Sequence, residues 1–335
     1  MSNNTLHFIC EKGKDHFAEP ILEKIDLNTI KRMGSNDLSH IINSIGAKNI
    51  WVEWASHPAI MVSKIKRPWQ KLIIRLHRYE MYRNKWMHRI KWKNVDCVVF
   101  VNSELEKEFK KTINNSVRTI TIPNSLTTSQ FEPTIISNSN SMLAYGLQFE
   151  SRKAYIKLIR MFKKVIDKNS NFSLTIAGQE PTHTIYKKYF EECKKIVEEL
   201  NLINHVHFEL LTIDENELKT HSNIKKLLKT HNAIISYSDN ESFHYSFAEG
   251  LLCGLNGFCR GWNELSLKEF WGNWYYDSEK SMIEGILDWG EMVSKNREQI
   301  ATMNRQYIID NFSSETIGKK YYNLINDLNF NSSNY

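Results

Sequence analysis

The chain of 335 residues is long enough for about two domains of ordinary size, and its 41% of hydrophobic residues is enough to build two cores. Five scattered cysteines, without metal-type pairs, exclude a disulfide framework and a zinc site, and no stretch is long and apolar enough to span a membrane. The net charge of +6 is uneven: residues 64–93 contain eleven Lys or Arg and one acid, which predicts an anionic neighbour.

Short apolar runs alternate with amphipathic segments through the first third of the chain. We predict strands over residues 6–10, 49–54, 71–76, 95–101 and 117–122, and helices over residues 17–25, 35–45, 59–65, 79–90 and 104–111. This alternation is typical of a parallel sheet covered by helices on both faces, with ligands at the carboxyl ends of the strands.

The polar run that follows Pro123 predicts an interdomain linker, after which the alternation resumes. We predict strands over residues 142–145, 172–177, 206–208 and 257–259, a strand beginning at 233, and helices over residues 151–166, 184–200, 223–228, 264–270, 278–292, 298–311 and 315–328. The predicted organisation is a first domain over 1–125, a linker over 126–140, a second domain over 141–312 and a terminal helical segment over 313–335.

Residues 232–257 hold the most informative pattern of the second domain. An apolar run from Ala233 predicts a buried strand, and after a polar break the apolar residues recur at helical spacing. A helix that starts beyond the carboxyl end of a strand presents unpaired N–H groups, which suit a phosphate. Glu241 and Glu249 bracket this start eight positions apart. A capping box between Ser246 and Glu249 is the alternative explanation for the second glutamate.

The sequence ESFHYSFAEGLLCG, residues 241–254, resembles the donor-site motif of glycosyltransferases with the GT-B fold, particularly family 4. The shared features are two glutamates separated by seven residues and a helix of small residues that ends in Cys-Gly. The resemblance implies that Glu241 faces the transferred sugar and that Glu249 accepts hydrogen bonds from the ribose. It also implies that loop amides hold the nucleotide diphosphate, along Ser242, Phe243, His244, Tyr245 and Ser246.

Two earlier segments resemble other parts of the same donor site. Gly146 ends a predicted strand, and Arg152 and Lys153 open the next helix, where they could neutralise a diphosphate. The family commonly has Arg directly after this glycine, whereas the chain has Leu147. An exposed basic helical turn is the alternative. Gly178, in the Ala-Gly pair that closes the following strand, resembles a turn at which the backbone approaches the nucleotide.

His77 follows a predicted strand of the first domain. Family 4 enzymes often carry a histidine in this region that contacts the transferred sugar, so the resemblance implies a catalytic role, with a purely structural histidine as the alternative. Arg75, Arg78 and Glu80 share its neighbourhood and are predicted to bind the acceptor. Among arginines, Glu80 should have a lowered pKa, which would make it a poor general base. Gly13, in the first loop, is a candidate for close approach to a substrate.

Aromatic residues are interleaved with the cations of residues 64–93. On the predicted helix 79–90 the aromatic side chains share one side, and we predict acceptor contacts from Lys85, Trp86 and Arg89. Three interpretations remain open. The helix rests on an anionic membrane surface, the stretch follows a phosphate backbone with bases stacked on its rings, or the rings are core and the charges are solvated.

The resemblance, which covers roughly residues 70–315, implies a GT-B fold. This fold has two Rossmann-like, doubly wound α/β domains facing a cleft, with a C-terminal helix that crosses back to the first domain. The implied activity is transfer of a sugar from a nucleotide-diphosphate sugar, with retention of anomeric configuration. No Asp-x-Asp motif is present, so we expect no obligatory metal or other cofactor.

The expected acceptor is anionic: a cell-surface glycan or lipid-linked saccharide at a membrane. One alternative is a bacteriophage enzyme that adds glucose or arabinose to 5-hydroxymethylcytosine in duplex DNA. Another is a catalytically silent, transferase-like module that binds nucleic acid. The first residues lack a basic start followed by an apolar run, so we expect a cytoplasmic protein, peripheral at the inner membrane surface for a glycan acceptor or in the host cytoplasm for a virus.

Overall fold

The computed structural model describes residues 5–34, 37–83, 86–113, 116–134, 137, 139–211, 222–261 and 266–330. It divides into two compact units. Unit 1 comprises residues 1–127 and 311–335, and unit 2 comprises residues 128–310. Within the described residues, no helix is long and apolar enough to cross a membrane. All five cysteines are buried as free thiols.

Unit 1 is built on a parallel sheet in the order β2-β1-β3-β4-β5-β6. Its strands are β1 Thr5–Glu11, β2 Asn28–Gly34, β3 Asn49–Glu53, β4 Lys71–Leu76, β5 Cys97–Phe100 and β6 Thr119–Thr121, and its first helices are α1 Glu19–Leu22, α2 Asp37–Ser44, α3 His57–Ile65, α4 Arg78–Arg83 and α5 Ser103–Thr112. Side chains of the central strands alternate between two cores, with Ile50 and Val52 in one and Trp51 in the other.

Two elements of unit 1 differ from the prediction. The sequence analysis missed β2, an edge strand that pairs with β1 alone and whose side chains are largely exposed, so it lacks the apolar run expected of a buried strand. The predicted helix 79–90 is also wrong, because α4 ends at Arg83 and a separate 3-10 turn covers Met87–Arg89. Met87 and Ile90 enter the core three residues apart, a spacing that the single predicted helix would also have satisfied, so the sequence pattern did not reveal that α4 ends early.

Unit 2 has a second parallel sheet, in the order β11-β10-β7-β8-β9. Its strands are β7 Asn140–Tyr145, β8 Phe172–Gln179, β9 Val206–Leu211, β10 Ala233–Ser236 and β11 Asn256–Cys259, and its helices are α6 Tyr155–Ile166, α7 Thr184–Glu199, α8 Ser222–Thr230, α9 Tyr245–Leu252, α10 Ser266–Trp271 and α11 Glu279–Glu291, followed by α12 Ser294–Phe312, which ends in unit 1.

The last helix, α13 Ser314–Phe330, packs on the sheet of unit 1, as predicted for the terminal helix. The Tyr321 ring stacks on Trp51 of β3, with centroids 4.1 Å apart and planes 6° from parallel. Ser314 donates its backbone N–H to the carbonyl of Leu126 at 3.0 Å. Helix α13 therefore packs in the same core as β1 and α1.

Each sheet has a switch point, where successive strands are added on opposite sides of the first. In unit 1 it lies between β1 and β3, and in unit 2 between β7 and β10. Ligands of open α/β sheets bind at such points, outside the carboxyl ends of the strands. The loops after these four strands are therefore the first places to look for a site.

Candidate functional site

Three charged side chains meet at the switch point of unit 2. Lys153, which ends a 3-10 turn before α6, places its Nζ 2.6 Å from Oε1 of Glu241, in the loop after β10. Arg152 places Nη1 3.4 Å from the same oxygen and also pairs with Glu150. Lys153 and Glu241 are each only 9% exposed, whereas the Arg152 side chain is 45% exposed. Two cations therefore converge on one nearly buried carboxylate.

The charges in this cluster set the protonation of its members. Burial alone would raise the pKa of Glu241, but the positive charges of Lys153, of His244 when it is protonated at low pH, and of Arg152 outweigh it, and the pKa falls to about 2. Burial lowers the pKa of His244 to about 3, against the opposing effect of Glu241. At neutral pH the carboxylate is therefore ionised and the imidazole is neutral.

His244 fixes the turn between this loop and α9. Its backbone is left-handed, with φ +62° and ψ +65°, and it immediately precedes the helix. The imidazole Nε2 bonds to the Ser236 hydroxyl at 2.5 Å, and Nδ1 lies 3.2 Å from the Ser246 hydroxyl. Both ring nitrogens are thus used to hold the turn, which gives this side chain a structural role.

The capping-box explanation for Glu249 is wrong. No side chain caps α9, and Glu249 is the fifth residue of that helix, where it accepts a hydrogen bond from the Tyr145 hydroxyl of β7. Burial raises the pKa of this carboxyl to about 7, although Tyr145 and Lys153 oppose the shift. Glu249 is therefore tied to the central strand of the sheet.

The two glycines predicted to approach a nucleotide have different surroundings. A Cβ added at Gly146 would lie 3.0 Å from the Lys153 side chain, so the absence of a side chain lets the lysine lie over the strand end. A Cβ at Gly178 would lie 2.9 Å from the Phe149 ring. Packing against Phe149 therefore accounts for the glycine at position 178, and the predicted approach of its backbone to a nucleotide stays a prediction.

The remaining residues of the predicted donor loop differ in burial: one side chain lies in the core and two are partly exposed. The Phe243 side chain is 1% exposed and packs near Trp271, whose indole N–H donates to the Phe243 carbonyl at 3.1 Å. The Phe243 side chain therefore belongs to the core, and the predicted contact of a diphosphate with the backbone amide of Phe243 stays a prediction. Ser242 and Tyr245 are partly exposed.

A second cluster surrounds His77 in unit 1 and is organised by a residue that the sequence analysis missed. Glu53 ends β3, is fully buried, and places Oε1 2.8 Å from His77 Nε2 and 3.3 Å from Arg75 Nη1. Its other oxygen accepts the Trp51 indole N–H at 3.0 Å. The sequence did contain a signal for Glu53: it is an acid at the end of the apolar run 49–53. A carboxylate in such a buried strand needs buried partners.

The protonation of this pair follows from its surroundings. Burial would raise the pKa of Glu53, but Arg75 and the hydrogen bond from His77 outweigh it, so the pKa is lowered. Burial lowers the pKa of His77 despite the neighbouring carboxylate. A neutral imidazole must donate from Nε2 to the ionised Glu53, which leaves Nδ1 as a hydrogen-bond acceptor.

The structure corrects two of the predicted acceptor contacts. Arg75 is 0% exposed, and its guanidinium binds Glu53 and the Asn124 side chain, so it cannot touch an acceptor. Glu80 is 1% exposed and accepts the Ala55 backbone N–H at 2.9 Å. Burial raises the pKa of Glu80 to about 8, contrary to the lowered value expected among arginines. The arginine nearest in sequence, Arg78, instead stacks on the Tyr82 ring.

Replacing Glu80 should change how the stability of the protein depends on pH. A raised pKa means that protonated Glu80 stabilises the fold fully below about pH 4.5 and that this stabilisation is lost as the pH rises through about 8. The slope approaches about 1.4 kcal/mol per pH unit. We expect Glu80→Gln to gain unfolding free energy relative to wild type as the pH rises from 5 to 8, measured by urea denaturation. Glu180→Gln, at an exposed acid, is the control, and an equal slope in wild type and Glu80→Gln would contradict the assignment.

The basic stretch presents aromatic rings to solvent. Arg78 stacks over Tyr82 at 4.7 Å, Arg89 over Trp86 at 5.0 Å and Arg67 over Trp69 at 5.3 Å, measured to the ring centroids. The Trp69, Tyr79 and Tyr82 side chains are more than half exposed, so the interpretation that places the rings in the core does not apply to these three. Glu80 is the only acid among residues 54–95. Lys85 lies outside the described residues.

Gly13 follows β1 at the switch point of unit 1. Its φ of +79° belongs to the left-handed region that favours glycine, and a Cβ added there would meet nothing within 4 Å. The open space is compatible with the predicted close approach of a substrate. Among the side chains that the structure describes, no group of three or more His, Cys, Asp or Glu is arranged to hold a metal ion.

Comparisons with known proteins agree with this arrangement. Residues 127–259 match the family model of glycosyl transferases group 1. No curated protein shows significant sequence similarity to the chain.

Solved structures resemble the chain over most of its length. Anabaena Alr3699/HepE, solved with UDP and glucose, has a TM-score of 0.70 and 14% identity over 96% of this chain and 99% of its own. The sucrose-phosphate synthase of Thermosynechococcus elongatus has a TM-score of 0.67 and 12% identity over 97% and 99%. S. aureus TarM, solved with Fondaparinux, alpha-GlcNAc-glycerol and UDP, has a TM-score of 0.65 and 15% identity over 87% and 59%. The predicted GT-B fold, with two Rossmann-like α/β units, is confirmed.

Proposed function

We propose that this chain, which has the GT-B fold and matches glycosyl transferases group 1 over residues 127–259, transfers a sugar from a nucleotide-diphosphate sugar with retention of configuration. The observation that carries the proposal is the convergence of Lys153 and Arg152 on Glu241 beside the start of α9. These groups lie at the switch point of unit 2, where open α/β sheets bind ligands.

In the proposed donor site, charge neutralisation is the main catalytic contribution. A nucleoside diphosphate leaves readily once its negative charge is balanced, and Lys153 and Arg152 would supply that balance together with the N–H groups that open α9. Glu241 stays ionised and would face the sugar, whose transition state carries positive charge near the anomeric carbon. Glu249, positioned by Tyr145, would accept hydrogen bonds from the ribose.

In unit 1, we propose that His77 contacts the transferred sugar through Nδ1. Glu53 fixes the tautomer by accepting the Nε2 proton, and Arg75 keeps Glu53 ionised. Arg75 and Glu53 are then positioning residues, and His77 alone of the three would touch substrate.

The proposed acceptor is anionic and glycan-based, bound by the basic, aromatic surface of residues 64–93. Arg78, Trp86 and Arg89 belong to that surface, and Lys85 lies in the same stretch. HepE and TarM were both solved with UDP, which makes UDP-sugars the first donors to test. We propose that no metal or other cofactor is required.

The test is a transfer assay with UDP-, GDP-, ADP-, CMP- and dTDP-sugars, combined with lipid-linked saccharides and, separately, with duplex DNA containing 5-hydroxymethylcytosine. Turnover that requires the saccharide supports the proposal, and turnover that requires the modified DNA would replace the glycan with DNA as the acceptor. Failure of every donor to bind or react would favour a catalytically silent module.

A further inference from the structure

The switch point of unit 1 carries an aromatic wall formed by Trp54, His77 and Phe17, and the proposed chemistry uses only His77 of these three. The chain leaves β1 toward β2 on one side and β3 toward β4 on the other, and the loops after β1 and β3 are tied together. The Trp54 indole N–H donates to the Lys14 carbonyl at 2.7 Å, and the Ser56 hydroxyl donates to the Glu11 carboxylate at 3.0 Å. Trp54 therefore lies where a ligand of this sheet would bind.

Trp54 is held in a conformation that a bulky residue rarely adopts. Its φ of +71° lies in the left-handed region, where a large side chain is strained. The backbone N–H of Trp54 donates to the Arg75 carbonyl at 3.1 Å, and the next N–H, of Ala55, donates to buried Glu80 at 2.9 Å. Strain that persists because several hydrogen bonds enforce it is typical of functional positions.

The strained backbone aims the indole at the proposed catalytic histidine. Trp54 stacks on His77 with centroids 4.1 Å apart and planes at 28°, and Phe17 stacks on His77 at 5.2 Å and 30°. His77 is buried, whereas Trp54 and Phe17 are partly exposed. Most of the surface that a ligand can reach on this wall therefore belongs to the two flanking rings, and His77 contributes the 6% of its surface that is exposed.

The chemistry of the wall favours a sugar ring over a polyanion. Because the indole N–H is already bonded to Lys14, Trp54 offers its π face, whose negative quadrupole attracts the C–H groups on one face of a pyranose. Glu11, which ends β1, and Asp15 balance the charges of Lys12 and Lys14, and Glu11 pairs with Lys14 at 2.5 Å, so this segment has no net charge that would attract a polyanion. The basic surface that suits an anion lies in residues 64–93 instead.

From these contacts we infer that Trp54 is the platform for a neutral pyranose ring of the acceptor, stacked beside His77. This inference rests on the proposed glycosyltransferase function, and it assigns the acceptor residue nearest the reaction as a carbohydrate. The anionic part of the acceptor is then bound elsewhere on unit 1.

The first experiment detects binding without catalysis. Wild-type protein is labelled with 5-fluorotryptophan, and the Trp54 signal among its nine tryptophans is assigned as the one missing from Trp54→Phe. We expect saturable movement of that fluorine signal on titration with methyl glucopyranoside or methyl galactopyranoside. The Trp69 signal, from an exposed ring of the basic stretch, should stay in place. Movement of neither signal, or of both equally, would overturn the inference, as would a response only to 5-hydroxymethyl-2′-deoxycytidine.

The second experiment uses turnover. Trp54→Leu removes the aromatic face and should raise the KM for acceptor about tenfold, whereas Trp54→Phe retains a smaller face and should raise it less. Donor hydrolysis without acceptor is measured in wild type, and the midpoint of thermal unfolding is measured in both variants to show that they fold. An unchanged KM in Trp54→Leu would overturn the platform while leaving the transferase intact. Absence of donor hydrolysis in wild type would instead count against the proposed function.

Discussion

Glu241→Gln is expected to lower turnover about 100-fold without weakening nucleotide binding. Glu241 is ionised and neutralises Lys153 in the structure, so the amide removes the negative charge proposed to face the sugar. The same change leaves Lys153 and Arg152 with more net positive charge toward a diphosphate. Nucleotide affinity should therefore be unchanged or tighter, which titration calorimetry with UDP measures alongside the rate of transfer.

Glu150→Gln is the matched control for this prediction. Glu150 also pairs with Arg152, but its side chain is 26% exposed, and its carbonyl accepts the Lys153 backbone N–H at 2.9 Å, a bond that Glu150→Gln retains. Removing its charge should leave turnover within a few-fold of wild type, as is usual for an exposed pair. Equal turnover in wild type and Glu241→Gln, or a loss of nucleotide affinity equal to the loss of rate, would remove Glu241 from its proposed role.

His77→Gln is expected to lower turnover about 100-fold while the fold is retained. The glutamine NH2 group can donate to Glu53 as Nε2 does, but the glutamine carbonyl oxygen is bonded to the same carbon as that NH2 and cannot take the position of the acceptor Nδ1. His77→Ala should lose the same activity and also stability, because Glu53 would lose a buried hydrogen bond. Turnover and the midpoint of thermal unfolding, measured on both variants, separate the two effects.

The pH dependence of the wild-type rate provides a second readout for His77. Burial lowers the pKa of this imidazole below its ordinary value of 6.5, so the neutral form persists at mildly acidic pH. The loss of rate caused by protonation of His77 should therefore have its midpoint below pH 6.5 and should be absent from the residual rate of His77→Gln. A wild-type rate that falls with a midpoint above pH 6.5 would contradict the neutral histidine bonded to Glu53, if this fall is absent from His77→Gln.

The local sequence pattern predicted the buried strand β4 correctly but did not predict β2, the strand at the edge of the unit 1 sheet. The strand predicted over residues 71–76 is β4 with the same bounds, because Leu72, Ile73, Ile74 and Leu76 form the nearly continuous apolar run of a strand covered on both faces, interrupted by Arg75. β2 has no such run, since an exposed edge strand need not be apolar. The end of α4 at Arg83 was not predicted either, because the apolar and aromatic spacing of residues 79–90 fits one continuous helix.

Site residues that belong to a motif could be predicted from the sequence. Ion pairs and protonation states that depend on a partner distant in sequence could not. The resemblance assigned Glu241 and Lys153 to one donor site, but their direct ion pair, across 88 positions, depends on the sheet order. Glu80 was expected to have a lowered pKa, yet the neighbouring Arg75 binds Glu53 instead. Buried charges are paired by tertiary structure, which sequence spacing does not encode.

The most direct test of the proposed donor site is titration calorimetry of UDP, GDP, ADP, CMP and dTDP into wild type, Lys153→Met and Lys157→Met. Lys157 is the matched control, because it lies one turn further along α6 and pairs with Asp239 of the same loop at 2.6 Å, but is 59% exposed. We expect one of these nucleotides to bind wild type and Lys157→Met with similar affinity and to bind Lys153→Met at least about tenfold more weakly. Absence of binding by every nucleotide, or equal weakening by both substitutions, would contradict a donor site built on Lys153.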